Sequence, residues 1–161
     1  MKDTILIYTD GAASGNPGPG GYGIVMLYNN HRKELSGGYR RTTNNRMELM
    51  AVIIALESIT NRDLSVKIYS DSKYVTEAIN QKWLFGWMRK GFEKKANPDL
   101  WQRFLRTYDH RRHEFIWVKG HADNKENNRC DELAVGESKK KELPPDEGYE
   151  SQSSSGLFGE E

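Results

Sequence analysis

The sequence predicts an α/β domain, a mixed sheet of about five strands covered by helices. Three observations carry this. Short apolar, β-branched runs such as "TILIYTD" and "SVKIYSD" end in polar residues, as buried strands do. The run "NNRMELMAVIIALESI" changes the period, with Val52, Ala55, Leu56 and Ile59 recurring at helical spacing. Strand and helix patterns then alternate along the rest of the patterned region.

The elements follow in order. "TILIYTD" is a buried strand. After a loop rich in Gly and Pro, "YGIVMLYNN" is a second strand and "HRKELSGGYRRTT" a third, more polar one. The short link at residues 29–32 makes these two a hairpin. The helix that follows has Asn44 or Asn45 in place to cap its start. "SVKIYSD" returns to strand, with Val66, Ile68 and Ser70 on one side. "SKYVTEAINQ" is a helix capped by Ser72. "KWLFGWMRKGFEKKAN" is basic and aromatic, broken by Gly86 and Gly91. "NPDLWQRFLRTYDH" is a helix with Pro98 in its first turn, "HEFIWVK" a last strand and "NKENNRCDELAVGES" a closing helix. Residues 1–138 are assigned to one domain. Residues 139–161 lack a periodic apolar face and are assigned to an acidic, flexible tail, with Leu157-Phe158 its one apolar anchor and a protein partner one conceivable role.

Length and composition agree with a single domain: 161 residues suffice to bury a core. Of the chain's net charge of +1, the segment 139–161 contributes −3, leaving +4 on residues 1–138. A mildly basic body suits an anionic partner such as nucleic acid. The single cysteine, Cys130, excludes an intramolecular disulfide and suits a reducing compartment; flanked by no activating partner, it suits a small apolar role. "AVIIAL" is far too short to span a membrane, and the first apolar run is too short for a signal peptide. A monomeric, cytoplasmic protein without membrane contact is expected.

Four acids stand in structurally expensive places. Asp10 and Asp71 each directly follow an apolar strand, and sites in open α/β sheets gather outside the carboxyl ends of strands. If those two strands are parallel neighbours, their acids sit side by side. Each alone is also an ordinary turn residue or cap. Glu48 lies four residues before Val52 and seven before Ala55, on or beside the apolar stripe of its helix. There it is either paired, protonated or metal-bound, or it snorkels at the stripe's edge near the helix start. Asp131, in "RCDELA", fits a partly apolar or a solvated face equally. Converging at one sheet edge, such carboxylates repel one another unless cations hold them. Carboxylate and water oxygens are the ligands Mg²⁺ or Mn²⁺ prefers, and paired ions serve phosphoryl transfer. The residues thus point to metal-dependent phosphodiester chemistry.

At these residues the chain resembles a family. "YTDGAASGNPGPGGYG", "TTNNRMELMAVIIAL", "IYSDSKYV" and "WVKGHADNKENNRCDELA" are similar to the successive signature segments of type 1 ribonuclease H, in order and at fitting spacings from about Thr4 to Ala134. The resemblance implies the ribonuclease H-like fold, a five-stranded mixed sheet with its first three strands antiparallel, flanked by helices. It implies endonucleolytic cleavage of the RNA strand of an RNA–DNA hybrid, leaving 3′-hydroxyl and 5′-phosphate ends. By the same resemblance Asp10, Glu48, Asp71 and Asp131 hold two Mg²⁺ ions, with Mn²⁺ as a substitute. Asp10 bridges both, Asp131 serves the ion that activates water, and Glu48 and Asp71 serve the ion near the leaving oxygen. His121, in "KGHADN", falls on the family's mobile-loop histidine, which assists proton transfer or product departure. His31, His110 and His113 have no such support and are assigned to the surface.

Hybrid recognition requires reading the 2′-hydroxyl on one strand only. Backbone amides of the turn at residues 11–13, beginning with Gly11, are placed to reach it. The resemblance assigns Asn16, Asn44 and Asn45 to the minor-groove side of the hybrid, and Arg41 and Thr43 to a phosphate of the DNA strand. The asparagines and Thr43 also suit turns and caps. In "KWLFGWMRKGFEKKAN", Trp87, Arg89 and Lys90 offer stacking and phosphate attraction. This stretch resembles the family's basic protrusion, though it is short and Met88 stands where a lysine is usual. Alone, it reads as well as a core aromatic helix with a cationic face. The rivals are another nuclease or polynucleotidyl transferase of this fold, a catalytically silent hybrid-binding module, and a dinucleotide-binding protein. The last rests on a G-x-G-x-x-G at residues 18–23, which runs into a strand rather than the helix that the fingerprint requires.

Overall fold

The computed structural model describes residues 4–120 and 124–154. A five-stranded sheet has the order β3-β2-β1-β4-β5. β1 (Thr4–Ala13), β2 (Gly18–Tyr28) and β3 (His31–Thr42) form an antiparallel meander. β4 (Ser65–Ser70) pairs parallel with β1, and β5 (His113–Trp117) parallel with β4. The family-like topology expected from the sequence is therefore the one observed.

The two central crossovers are helical. α1 (Asn44–Glu57) joins the meander to β4, while α2 (Lys73–Asn80), α3 (Trp83–Arg89) and α4 (Pro98–Leu105) lie between β4 and β5. Neither asparagine caps α1: Thr43 is its cap, and its hydroxyl accepts the Arg46 N–H at 3.2 Å. Ser72 caps α2 as expected, accepting from Val75 N. Gly86 does not break α3. It lies inside the helix, and the chain turns at Gly91, whose φ of +65° suits glycine. α5 (Lys125–Ser138) follows β5, and α6 (Glu147–Ser154) lies in the segment read from sequence as a tail. That segment is structured over its described part, with Asp146 and Tyr149 buried. Its anchors are polar and aromatic rather than periodic, so hydrophobic spacing gave no sign of it.

The sheet is covered on both faces. β1 alternates, with Ile5, Ile7 and Thr9 buried towards α1, while the Tyr8 carbonyl on the α5 side accepts from the buried Cys130 Sγ at 3.1 Å. Glycines set how closely the helices approach. A Cβ on Gly11 would lie 2.5 Å from Glu48 N, and one on Gly23 would lie 2.7 Å from Leu133 Cβ. The glycine-rich stretch therefore forms strand β2 and gives α5 its seat. Gly23→Val is expected to lower stability by about 1–3 kcal/mol through overpacking against α5, readable as a fall in melting temperature.

One histidine departs from expectation. His113 is buried at the start of β5, and its Nδ1 accepts the Asp109 N–H at 3.1 Å. Burial, then the Arg112 charge, holds it down to about 4, so it stands neutral at pH 7 as a packing residue. Among the described residues no helix is long and apolar enough to cross a membrane.

Candidate active site

β1 outruns its parallel neighbour. The β1–β4 pairing ends at Thr9 opposite Ser70, while β1 continues along β2, with Asp10 opposite Gly23. Asp10 thus lies within a strand, not at its end as read from sequence. It stands instead where one neighbour stops, which is also where Asp71 leaves β4. The Gly11 contact presses the second turn of α1 against this point and brings in Glu48. Asp10, Glu48 and Asp71 each offer an oxygen such that all three lie within 4.8 Å of one another.

The electrostatics of this cluster are adverse without a cation. Burial first, then the Asp71 and Asp131 charges, push the Asp10 carboxyl up to about 7, against the lowering effect of the Gly11 N–H, which donates to Asp10 Oδ1 at 2.8 Å. Glu48 is raised well above the ordinary glutamate range, by burial and then by Asp10 and Asp71. Glu48 Oε1 and Asp71 Oδ1 are buried without a hydrogen-bond partner. Buried acceptors left unsatisfied are costly, and a hard divalent cation supplies what this all-oxygen donor set lacks. Asp131, in the second turn of α5, is near enough to raise Asp10 but lies outside the three-acid group.

The surrounding residues fall into two groups. Asn16, Asn44 and Ala13 form a chain beside the acids: Asn44 N donates to Asn16 Oδ1 at 3.0 Å, and Ala13 N donates to Asn44 Oδ1 at 2.7 Å. Asn45 is half-buried on the first turn of α1, Thr43 caps that turn, and Arg41 is exposed just before it. The second group is on α3. Trp87 lines a groove of about 250 Å³ with Tyr74, Trp83 and Lys95, its edge against Trp101 and the Lys95 ammonium 5.2 Å from its ring centre. Arg89 does not share this groove. It lines a separate one with Lys82, Phe85 and His110, while Lys90 is exposed at the end of the helix. His121 lies outside the described residues, but Gly120 before it lies against Asp71, where a Cβ would sit 2.6 Å from Oδ2.

Residues 2–139 match the family model for RNase H. The chain belongs to the ribonuclease H family. A ribonuclease H of Rippkaea orientalis (strain PCC 8801 / RF-1) is 53% identical over 151 residues, spanning 91% of this chain and 92% of its own length. Among solved structures, LC9-RNase H1, a type 1 ribonuclease H with the type 2 active-site motif, is 28% identical at a TM-score of 0.74, covering 95% of this chain and 82% of the neighbour. LC11-RNase H1, solved in complex with an RNA/DNA hybrid, is 27% identical at a TM-score of 0.59, covering 82% of this chain and 94% of the neighbour. Within this member of the ribonuclease H family, the sheet edge that the geometry singles out brings together Asp10, Glu48 and Asp71.

Sequence reasoning missed two features here. Trp117, 44% exposed at the end of β5, donates from Nε1 to the Asp71 carbonyl at 3.1 Å, with the Lys73 ammonium 4.9 Å from its ring centre. A tryptophan closing an edge strand was the available signal. The other is Arg46, buried with Asp146, Asp99 and Asn97 behind the Thr43 turn. No spacing rule links residues 100 apart.

Proposed function

We propose that this chain hydrolyses the RNA strand of RNA–DNA hybrids endonucleolytically, through two divalent cations, leaving 3′-hydroxyl and 5′-phosphate ends. The observation that carries this reading is the group of three acids whose oxygens converge within 4.8 Å, two of them with a buried, unpartnered oxygen. Asp10, Glu48, Asp71 and Asp131 would hold the cations, Mg²⁺ or in substitution Mn²⁺. Such ions lower the pKa of bound water and neutralise charge at a phosphate undergoing in-line displacement.

The chain's own residues do the rest. Arg41 and Thr43 grip a phosphate of the DNA strand. Gly11, Asn16, Asn44 and Asn45 border the acids on the side where 2′-hydroxyls pass, and amides supply both donors and acceptors there. His121 follows a residue that touches Asp71 and serves as proton carrier or as an aid to product departure. Trp87, half-buried on the wall of an open groove, offers a stacking face with Lys95 beside it. Trp87→Ala is accordingly expected to raise KM several-fold while kcat stays within about twofold, since it removes binding shared by ground and transition states; an unchanged KM would remove Trp87 from the binding surface.

Cleavage of end-labelled hybrid, duplex RNA and duplex DNA, each with Mg²⁺ and with Mn²⁺, tests the reading. Selective cutting of the hybrid's RNA strand is expected. Cutting of duplex DNA would favour another nuclease of this fold, and tight hybrid binding without cleavage would favour a silent binding module.

A further inference from the structure

The RNase H family model stops at residue 139, yet residues beyond it hold the proposed hybrid-gripping turn from behind. Asp146, buried at 3% exposure, accepts from Arg46 Nε at 2.8 Å and Nη2 at 3.0 Å, and from Thr42 Oγ1 at 2.6 Å. It also starts α6, its carbonyl accepting from Glu150 N at 2.8 Å and its carboxylate from Tyr149 N at 3.3 Å. The same residue thus fixes the turn and places the two side chains that meet β3. Tyr149, 5% exposed, sets its ring 5.8 Å from the Arg41 guanidinium. Glu150 pairs with Arg40 through Nε at 2.9 Å and Nη2 at 2.7 Å. That ion pair holds Glu150, and with it the first turn of α6, against β3 beside Arg41.

We propose that Asp146 and Tyr149 are positioning residues for the nucleic-acid duplex: they hold Arg41 and the Thr43–Asn44 turn in the geometry that grips a backbone phosphate. The inference rests on the hybrid-binding reading of those residues. An exposed arginine loses side-chain entropy when it binds, and a ring already beneath its guanidinium reduces that loss before the substrate arrives. The turn gains in the same way. It is tied in front through Asn44 to Ala13 and Asn16, and behind through Thr42 and Arg46 to Asp146.

The test combines hybrid affinity, its salt dependence and a mutant cycle. Anisotropy of a labelled hybrid, without divalent metal so that nothing is cut, gives Kd across salt concentrations. Steady-state cleavage gives KM and kcat well below each variant's melting temperature. Tyr149→Leu, which keeps apolar volume, is expected to raise Kd and KM about 5-fold with kcat nearly unchanged, and to lower the salt slope by about one phosphate contact. In an Arg41→Ala background the same change is expected to add nothing, because both remove one interaction. Asp146→Asn is expected to act in the same direction and also to lower the melting temperature. Should it fail to fold, Tyr149→Leu still decides. Unchanged Kd and salt slope, or effects that add to those of Arg41→Ala, would overturn the positioning role while leaving the cleavage reading intact. A wild-type chain that neither binds nor cuts the hybrid would overturn both.

Discussion

Asp10→Asn is expected to abolish hybrid cleavage and yet make the metal-free protein more stable at pH 8. The loss of activity, by roughly 10³-fold or more, follows from the proposed two-cation reading, since the change removes a carboxylate charge from the acid cluster. The gain follows from the same charge. In the folded chain Asp10 is pushed up to about 7 from the ordinary 3.8, mainly by burial and then by Asp71. A carboxyl raised by folding favours the folded state fully below its unfolded pKa, and that contribution is lost as pH rises through the folded value. The variant should therefore match the wild type near pH 4 and exceed it by about 2 kcal/mol at pH 8. The full shift would be worth about 4 kcal/mol at 1.36 kcal/mol per unit, and relaxation and water entry around the charged carboxyl reduce what is realised to about half. For a chain of this size that gain is roughly 5 °C in melting temperature. Saturating Mg²⁺ should reverse the order, because a ligand that binds the folded state stabilises it by mass action. Melting curves at pH 4, 6 and 8, with and without Mg²⁺, read all three effects. A variant less stable than the wild type at pH 8 without metal would show that Asp10 is satisfied by the protein alone.

How much of this site could be read from the sequence depended on whether a residue's meaning was local. Asp10 and Asp71 were legible because each breaks an apolar strand pattern, and although β1 runs on past Asp10 along β2, its parallel pairing with β4 ends there, where sites form. Glu48 was half legible: its spacing put it near the stripe, but only the Gly11 contact decides that it turns into the sheet edge. Of the residues that suited a cap, Thr43 takes the role and the asparagines do not, the Asn44 side-chain carbonyl accepting instead from Ala13 N across a loop that periodicity does not see. His113 was misread for the same reason, its partner Asp109 being met only when the turn closes. The largest omission was α6. A helix without an apolar stripe gives no hydrophobic period, and this one is docked by a carboxylate, a ring and an ion pair.

That docking leads to the second large effect, since Arg46→Ala is expected to cost about 3–5 kcal/mol of stability, roughly 10 °C in melting temperature. Arg46 is 1% exposed, and it donates to both oxygens of Asp146, to both oxygens of Asp99 and to Asn97 Oδ1. Asp99 is partly solvated and can turn to water. Asp146 is 4% exposed at its side chain and cannot, so truncating the arginine strands a buried charge that keeps only neutral donors such as the Thr42 hydroxyl and the Tyr149 N–H. The cost belongs to the stranding and not to a large net value of the pair, because two desolvated ions give back much of their attraction. A paired replacement separates the two. Arg46→Met together with Asp146→Leu removes both charges and keeps apolar volume, and it should recover more than half of what Arg46→Ala loses. Its hybrid affinity should nevertheless stay weak, because the Thr42 tie to Asp146 is gone. Stability restored without binding would locate the network's role in shaping the turn. A double variant as unstable as Arg46→Ala would mean instead that the ion pair itself, and not the relief of an unpaired charge, holds the C-terminal helix in place.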